Sequence, residues 1–363
     1  MRLQAWALVL VGCTSLIQTV SLPAYADSVR DSEWYLATLQ IPESHKISQG
    51  EGIIVAVIDT GVNARQPELS GNVLVGADES RGFIGNGWQD SSGHGTAMAS
   101  LIAAHGKNER DGALGIAPKA HILPVRAAAS GNVLPEDVRK SIAWALQHHP
   151  KVICIASGGP QSDLWKPALD AALASDVVLV GAVGNRNEGA KSVVWPAAYP
   201  GVIAAAGIDR AGQHADFSVT GPEVVLSAPA VDIVTPGRNG QYITGSGTSA
   251  ATAIIAGAAA LVRAKFPNLP AAEVVHRLEA TATDAGPPGR DDQYGYGILN
   301  IVRALTADVP PLATSAQPSP TTPNPGAAPR RNTSNLPLTG ILLALFLAAG
   351  GAVALITMRR HRH

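Results

Sequence analysis

Cysteine is almost missing from this chain: Cys13 and Cys154 are the two present among 363 residues. Cys13 falls in an N-terminal leader, which leaves one thiol in the processed chain and no intrachain disulfide, although the leader implies export. Cys154 sits in the apolar run Val152-Ile153-Cys154-Ile155-Ala156 and reads as a small buried hydrophobe rather than a nucleophile. Aromatic residues make up 4% of the chain against 37 glycines, so close backbone packing is expected. Acidic residues are absent before Asp27 and after Asn335, where Arg2, Arg359, Arg360 and Arg362 lie. The formal charge of −1 therefore hides a middle with 23 basic against 28 acidic residues, about −5. With no basic stripe, that balance argues against a nucleic-acid partner.

The ends carry their own signals. Residues 1–26 combine Arg2, an apolar stretch from Ala5 to Ile17 and Ala24-Tyr25-Ala26 before Asp27, the pattern of a secretory signal peptide cut after Ala26. Leu10-Val11-Gly12-Cys13 also resembles a lipoprotein processing box, placed unusually early. Residues 309–335 are rich in Pro, Ser, Thr, Ala and Asn without hydrophobic period, and read as an extended tether. From Ile341 to Met358 the chain is apolar or small. At ~1.5 Å per residue that stretch spans roughly 27 Å, enough to cross a bilayer. The basic tail at 359–363 would stay cytoplasmic, with the main domain outside. Leu336-Pro337-Leu338-Thr339-Gly340 before the span resembles the sorting signal of Gram-positive surface proteins, cut between Thr and Gly for cell-wall attachment. A retained helix and wall attachment both remain open.

Between 27 and 308 lies one domain in which strand-like and helix-like segments alternate. β-Branched runs at Ile53–Ile58, His121–Val125, Val152–Ala156, Val177–Val180 and Val202–Ile208 suit strands covered on both faces. Helical stretches are expected at His94–Ala104, Pro135–His148, Lys166–Ser175, Ser249–Phe266 and Ala271–Ala282. The alternation predicts an α/β fold: a three-layer parallel sheet with helices on both faces. The stretch after Ser249 is apolar or small on every side, so that helix should run through the interior.

Four glycine-flanked islands carry the chemistry: Asp59-Thr60-Gly61, Gly93-His94-Gly95-Thr96, Val183-Gly184-Asn185 and Gly247-Thr248-Ser249-Ala250. They supply a carboxylate, an imidazole, an amide and a hydroxyl, each at a boundary between elements. Serine becomes a nucleophile when a base removes its proton, and imidazole suits that task near neutral pH. A carboxylate fixes the ring tautomer and stabilises the imidazolium. The Asn185 amide and the Ser249 N–H at a helix start are placed to meet an oxyanion. Taken singly, each island has a plain reading as a turn or helix cap; their combination and order point to acyl-transfer chemistry.

On these motifs the chain resembles subtilisin-like serine proteases from about Trp34 to Leu305. The matching stretches include Val55 to Val62, Gly93-His94-Gly95-Thr96 with Ala99, Val183-Gly184-Asn185, Phe217-Ser218 and Gly247-Thr248-Ser249. The resemblance implies that Asp59 orients, His94 is the base, Ser249 attacks and Asn185 lines the oxyanion hole. It also implies that Ala156, Ser157, Gly158 and Gly184 border bound substrate. No cofactor or metal is expected for the chemistry, although the fold the chain resembles often binds calcium. Within that family the exported domain, Pro-rich tether, single span and basic tail are similar to the mycosins of type VII secretion. Trp34-Tyr35-Leu36, Tyr294 to Asn300, and a stretch before Asp59 too short for a folding prodomain add to this.

The chain departs from the mycosins in lacking disulfides, and from the family in Ser100 for Gly, in Ala253 for Pro, and in Ala156-Ser157-Gly158 for Ser-Leu-Gly, which leaves the cleavage preference open. Asp90, Asp111 and Asp291-Asp292 invite a calcium reading, but no ligand loop is legible and solvated carboxylates are expected. The function expected is a surface-tethered serine endopeptidase acting on proteins near a secretion apparatus. The rival reading is a scaffold that braces a membrane secretion complex, with proteolysis secondary.

Overall fold

A computed structural model describes residues 28–80, 84–108, 111–128, 133–237 and 240–312. The leader at 1–26, the tether beyond 312, the span at 336–358 and the tail at 359–363 lie outside the described residues. The described chain opens with three short helices, α1 (Ser28–Ser32), α2 (Trp34–Thr38) and α3 (Ile41–His45). They are anchored by polar contacts: Trp34 Nε1 donates to Val231 O at 3.0 Å, and the Tyr35 hydroxyl donates to the buried Glu33 carboxylate at 3.0 Å.

The sheet strands are β1 (Ile54–Asp59), β2 (Ala77–Asp78), β3 (His121–Arg126), β4 (Val152–Ile155), β5 (Val178–Ala182), β6 (Val202–Ile208) and β7 (Val224–Pro229). All pair in parallel, in the order β2-β3-β1-β4-β5-β6-β7. The helices after β1 are α4 (His94–Ala103), α5 (Pro135–Leu146), α6 (Lys166–Ala174), α7 (Thr248–Lys265), α8 (Ala271–Thr281) and α9 (Ile301–Thr306).

Strand periodicity divides the interior in two. Val55 and Val57, Val152 and Cys154, and Val178 and Val180 face a core shared with α4 and α7. Their alternates Ala56 and Ile58, Ile153 and Ile155, and Leu179 face a second core with Val138 and Ile142 of α5 and Leu169 and Ala172 of α6. Helices therefore cover both faces, as the alternation of elements requires. α7 is buried from Ala250 to Arg263, and its many alanines let it lie close against the sheet. Among the described residues no helix is long and apolar enough to cross a membrane. Cys154 is fully buried, and desolvation pushes its thiol pKa well up, which fits a packing role.

The alternation stops after β5. β6 and β7 are reached by loops, and an antiparallel hairpin of β8 (Ile233–Pro236) and β9 (Tyr242–Gly245) follows. β9 is mostly exposed, so its sequence carries no buried-strand signature. β1 sits where the chain switches direction across the sheet, with β3 on one side and β4 on the other. Such a switch point opens a crevice at the carboxyl ends of the strands. Asp59 is the last residue of β1, and it stands there.

Candidate active site

Asp59 is buried, and the Thr60 backbone N–H donates to its Oδ1 at 2.7 Å. His94 is the first residue of α4, and its Nδ1 lies 2.8 Å from Asp59 Oδ1 and 2.9 Å from Oδ2. That bond requires a proton on Nδ1 and leaves Nε2 of the neutral ring as an acceptor. The Asp59 charge raises the His94 pKa to about 8 against the opposing effect of burial, and Asp90 and Glu188 push the same way.

Ser249 lies in the first turn of α7, behind Gly247. A Cβ on Gly247 would stand 3.3 Å from Ser249 Oγ and 3.4 Å from Asn185 Nδ2, so hydroxyl and amide converge on the space that glycine leaves open. The Asn185 amide has a defined orientation. Its Oδ1 accepts from Thr248 N at 3.0 Å and Thr248 Oγ1 at 3.1 Å, while Thr248 Oγ1 accepts from Gly184 N at 3.3 Å. With the oxygen so engaged, Nδ2 is the group free to donate.

His94, Asn185, Ser249, Ala156, Ser157, Gly158 and Gly184 all line one cleft of about 610 Å³, with Asp59 behind the ring. Every site residue expected from the sequence is thus brought together. His94 and Ser249 line the same cleft without a direct hydrogen bond among the described residues, a bond that commonly tightens when substrate is seated. Ala156-Ser157-Gly158 runs on from β4, and Gly159 then pairs with Trp195 through Gly159 N to Trp195 O at 2.9 Å and the reverse bond at 3.0 Å. Gly158 has no room for a side chain, because a Cβ there would stand 2.4 Å from Val194 Cγ2. At Gly184 a Cβ would meet Val194 Cγ1 at 3.0 Å, so the Val194 isopropyl group fills the gap between these two cleft walls.

Asp90 corrects the expectation of a solvated carboxylate. It is 9% exposed, and donors from Thr60, Ser92, Gly93 and Thr96 surround it. Its position four residues before His94, at a helix start, was the available signal. Thr60, Thr248 and Val194 were also missed as parts of the site. Ser100, in place of the family's glycine, donates its hydroxyl to Thr96 O at 2.8 Å within α4. Among the described residues, no group of three or more His, Cys, Asp or Glu side chains is placed to hold a metal ion.

The profile of the subtilase family matches residues 50–297. The chain is 37% identical to subtilisin E of Bacillus subtilis (strain 168) over 77% of its own length and 72% of that protein's. It is 32% identical to mycosin-1 of Mycobacterium tuberculosis (strain ATCC 25618 / H37Rv) over 88% and 84% of the two chains. Among solved structures it resembles MycP1, a serine protease described as an essential component of the type VII (ESX-1) secretion system. That match has a TM-score of 0.68 and 30% identity over 78% of this chain and 90% of that one. The MycP3 protease from the type VII (ESX-3) secretion system gives a TM-score of 0.66 and 31% identity over 76% and 88%. A parallel seven-stranded sheet, relatives that span both chains and a profile covering most of the folded region agree: this chain belongs to the subtilase family and is a serine endopeptidase, related to the mycosins.

Proposed function

We propose that Asp59, His94 and Ser249 form the catalytic triad of this endopeptidase. The observation that carries the reading is the Asp59–His94 pair facing, across one cleft, a serine at the start of a buried helix. Nε2 of His94 takes the Ser249 proton as Oγ attacks the peptide carbonyl carbon. The negative charge that develops on the carbonyl oxygen is met by Asn185 Nδ2 and the Ser249 N–H at the positive end of α7. The imidazolium returns its proton to the leaving amine, and water then releases the acyl group by the same steps in reverse order.

The substrate is an extended segment of a protein, running beside Ala156, Ser157 and Gly158 with Gly184 opposite. Val194 closes the slot between those walls, which favours a small side chain just before the cleaved bond. The catalytic domain works outside the membrane, tethered by the C-terminal segment and associated with a type VII secretion complex. The leader, the apolar run at 341–358 and the likeness to mycosin-1 and MycP1 support that placement.

A fluorophosphonate probe tests the reading. The wild-type protein is expected to label covalently and the Ser249→Ala protein to stay unlabelled; equal labelling of both removes Ser249 as the nucleophile. The labelled protein weighed intact reports its ends as well. A chain from Asp27 to His363 fits a retained helix, and a product ending at Thr339 joined to peptidoglycan excludes it.

A further inference from the structure

The loop before α4 holds a second carboxylate, buried and enclosed by donors. Asp90 Oδ1 accepts from Thr60 Oγ1 at 2.8 Å, Gly93 N at 2.7 Å and Ser92 N at 3.1 Å. Its Oδ2 accepts from Thr96 N at 2.8 Å and Thr96 Oγ1 at 2.7 Å. Replacing a buried carboxylate that accepts from this many donors leaves some of them without a partner. The first turn of α4 depends on it. Thr96 N goes to Asp90, Gly95 N goes to Thr60 Oγ1 at 3.0 Å, and Thr96 Oγ1 accepts from Asn63 N at 2.9 Å.

Thr60 joins the two carboxylates. Its hydroxyl donates to Asp90, and its backbone N–H donates to Asp59 Oδ1 at 2.7 Å. The end of β1 and the start of α4 are thus fastened together beside the Asp59–His94 bond. We infer that Asp90 is a positioning residue for hydrolysis: through Thr60 and the first turn of α4 it holds Asp59 and His94 in register. The inference rests on the proposed triad. If Ser249→Ala labels as wild type, the triad fails first; if Ser249→Ala is inert and Asp90 proves irrelevant, the failure is confined to Asp90.

Asp59, Asp90 and Glu188 are close enough to act on His94, and all three favour the protonated ring. The base must be neutral to act, so kcat/KM of the wild type should rise with pH along a limb centred near pH 8. Removing the Asp90 charge makes protonation less favourable and moves that limb to lower pH.

The test uses the full chain with a chromogenic peptide. It reads kcat per fluorophosphonate-titrated site, KM and the pH profile. Asp90→Asn is expected to lower kcat by about 10- to 100-fold with KM nearly unchanged, and to shift the limb downward. Thr60→Val breaks the link but keeps both charges, so kcat falls while the limb stays in place. Thr60→Ser keeps the hydroxyl and restores kcat. An Asp90→Asn protein with wild-type kcat per titrated site and an unmoved limb overturns the inference. So does one whose loss is wholly accounted for by fewer titratable sites. Should Asp90→Asn not fold, Thr60→Val decides: undiminished kcat per site overturns the inference, and a fall rescued by Thr60→Ser upholds it.

Discussion

At its C-terminal end α7 holds Arg263, 2% exposed, whose Nη1 donates to Asp176 Oδ2 at 3.1 Å and Leu269 O at 2.6 Å and whose Nη2 donates to Asp176 O. Asp176 in turn accepts from Ala271 N at 2.6 Å, which ties the start of α8 to the same knot. At the N-terminal end of the same helix the polar groups are arranged otherwise. Thr248 and Asn185 satisfy one another, but the Asn185 Nδ2 and the Ser249 hydroxyl face the cleft. At one end both terminal guanidinium nitrogens of Arg263 are turned onto protein partners, and its one unpartnered nitrogen, Nε, is buried away from the cleft. The other orients donors through one atom and leaves the next one open for a ligand, which is what preorganisation for a transition state requires. Burial of polar groups alone does not mark a site; the direction of the unspent donor does.

The contrast is tested most severely at Asn185. Asn185→Leu keeps the bulk but removes Nδ2, and kcat should fall by about 10²- to 10³-fold with KM little changed. That magnitude was measured on a subtilisin, a relative of this chain, and is borrowed from it. A fall of less than about tenfold would make the N-terminal end as purely structural as the other.

The mirror experiment is Asp176→Ala, which strips the carboxylate from the Arg263 knot. A loss of about 2 kcal/mol in unfolding free energy is expected, less than for a wholly buried pair because Asp176 is 45% exposed. Denaturant melts give that number, and kcat per titrated site should stay at the wild-type value. If kcat falls instead, the two ends of α7 are mechanically coupled and the division fails.

Much of this division was legible in the sequence. β6 runs over Val202–Ile208 as its apolar residues require, and the interior course of α7 follows from an apolar run without a polar face. The four islands were legible because each stands at an element boundary with a residue type that the chemistry needs. What stayed hidden depends on distant contacts. β2 has two residues, too few for any period, and β9 is exposed, so neither carries a burial pattern. Asp90 is a single acid in a loop, and only the folded approach of Thr60 and Thr96 turns it from a solvated group into a buried, fully hydrogen-bonded carboxylate.

Val194 was hidden for the same reason, and it gives the finest test of what the cleft end is built to receive. Its isopropyl group rests against Gly158 and Gly184, two positions without side chains that would otherwise leave a deep slot between the substrate-bordering segments. A methylene in such a pocket is worth ~1–3 kcal/mol in discrimination. Val194→Gly should therefore raise kcat/KM for peptides with Leu or Phe before the cleaved bond by about tenfold relative to Ala. The Ala peptide itself, too short to reach Val194, should change little. A peptide series cleaved by both proteins reads the ratio directly. If the wild type already takes Phe as readily as Ala, the slot runs past Val194. The open space at this end of the molecule would then be shaped by some other wall.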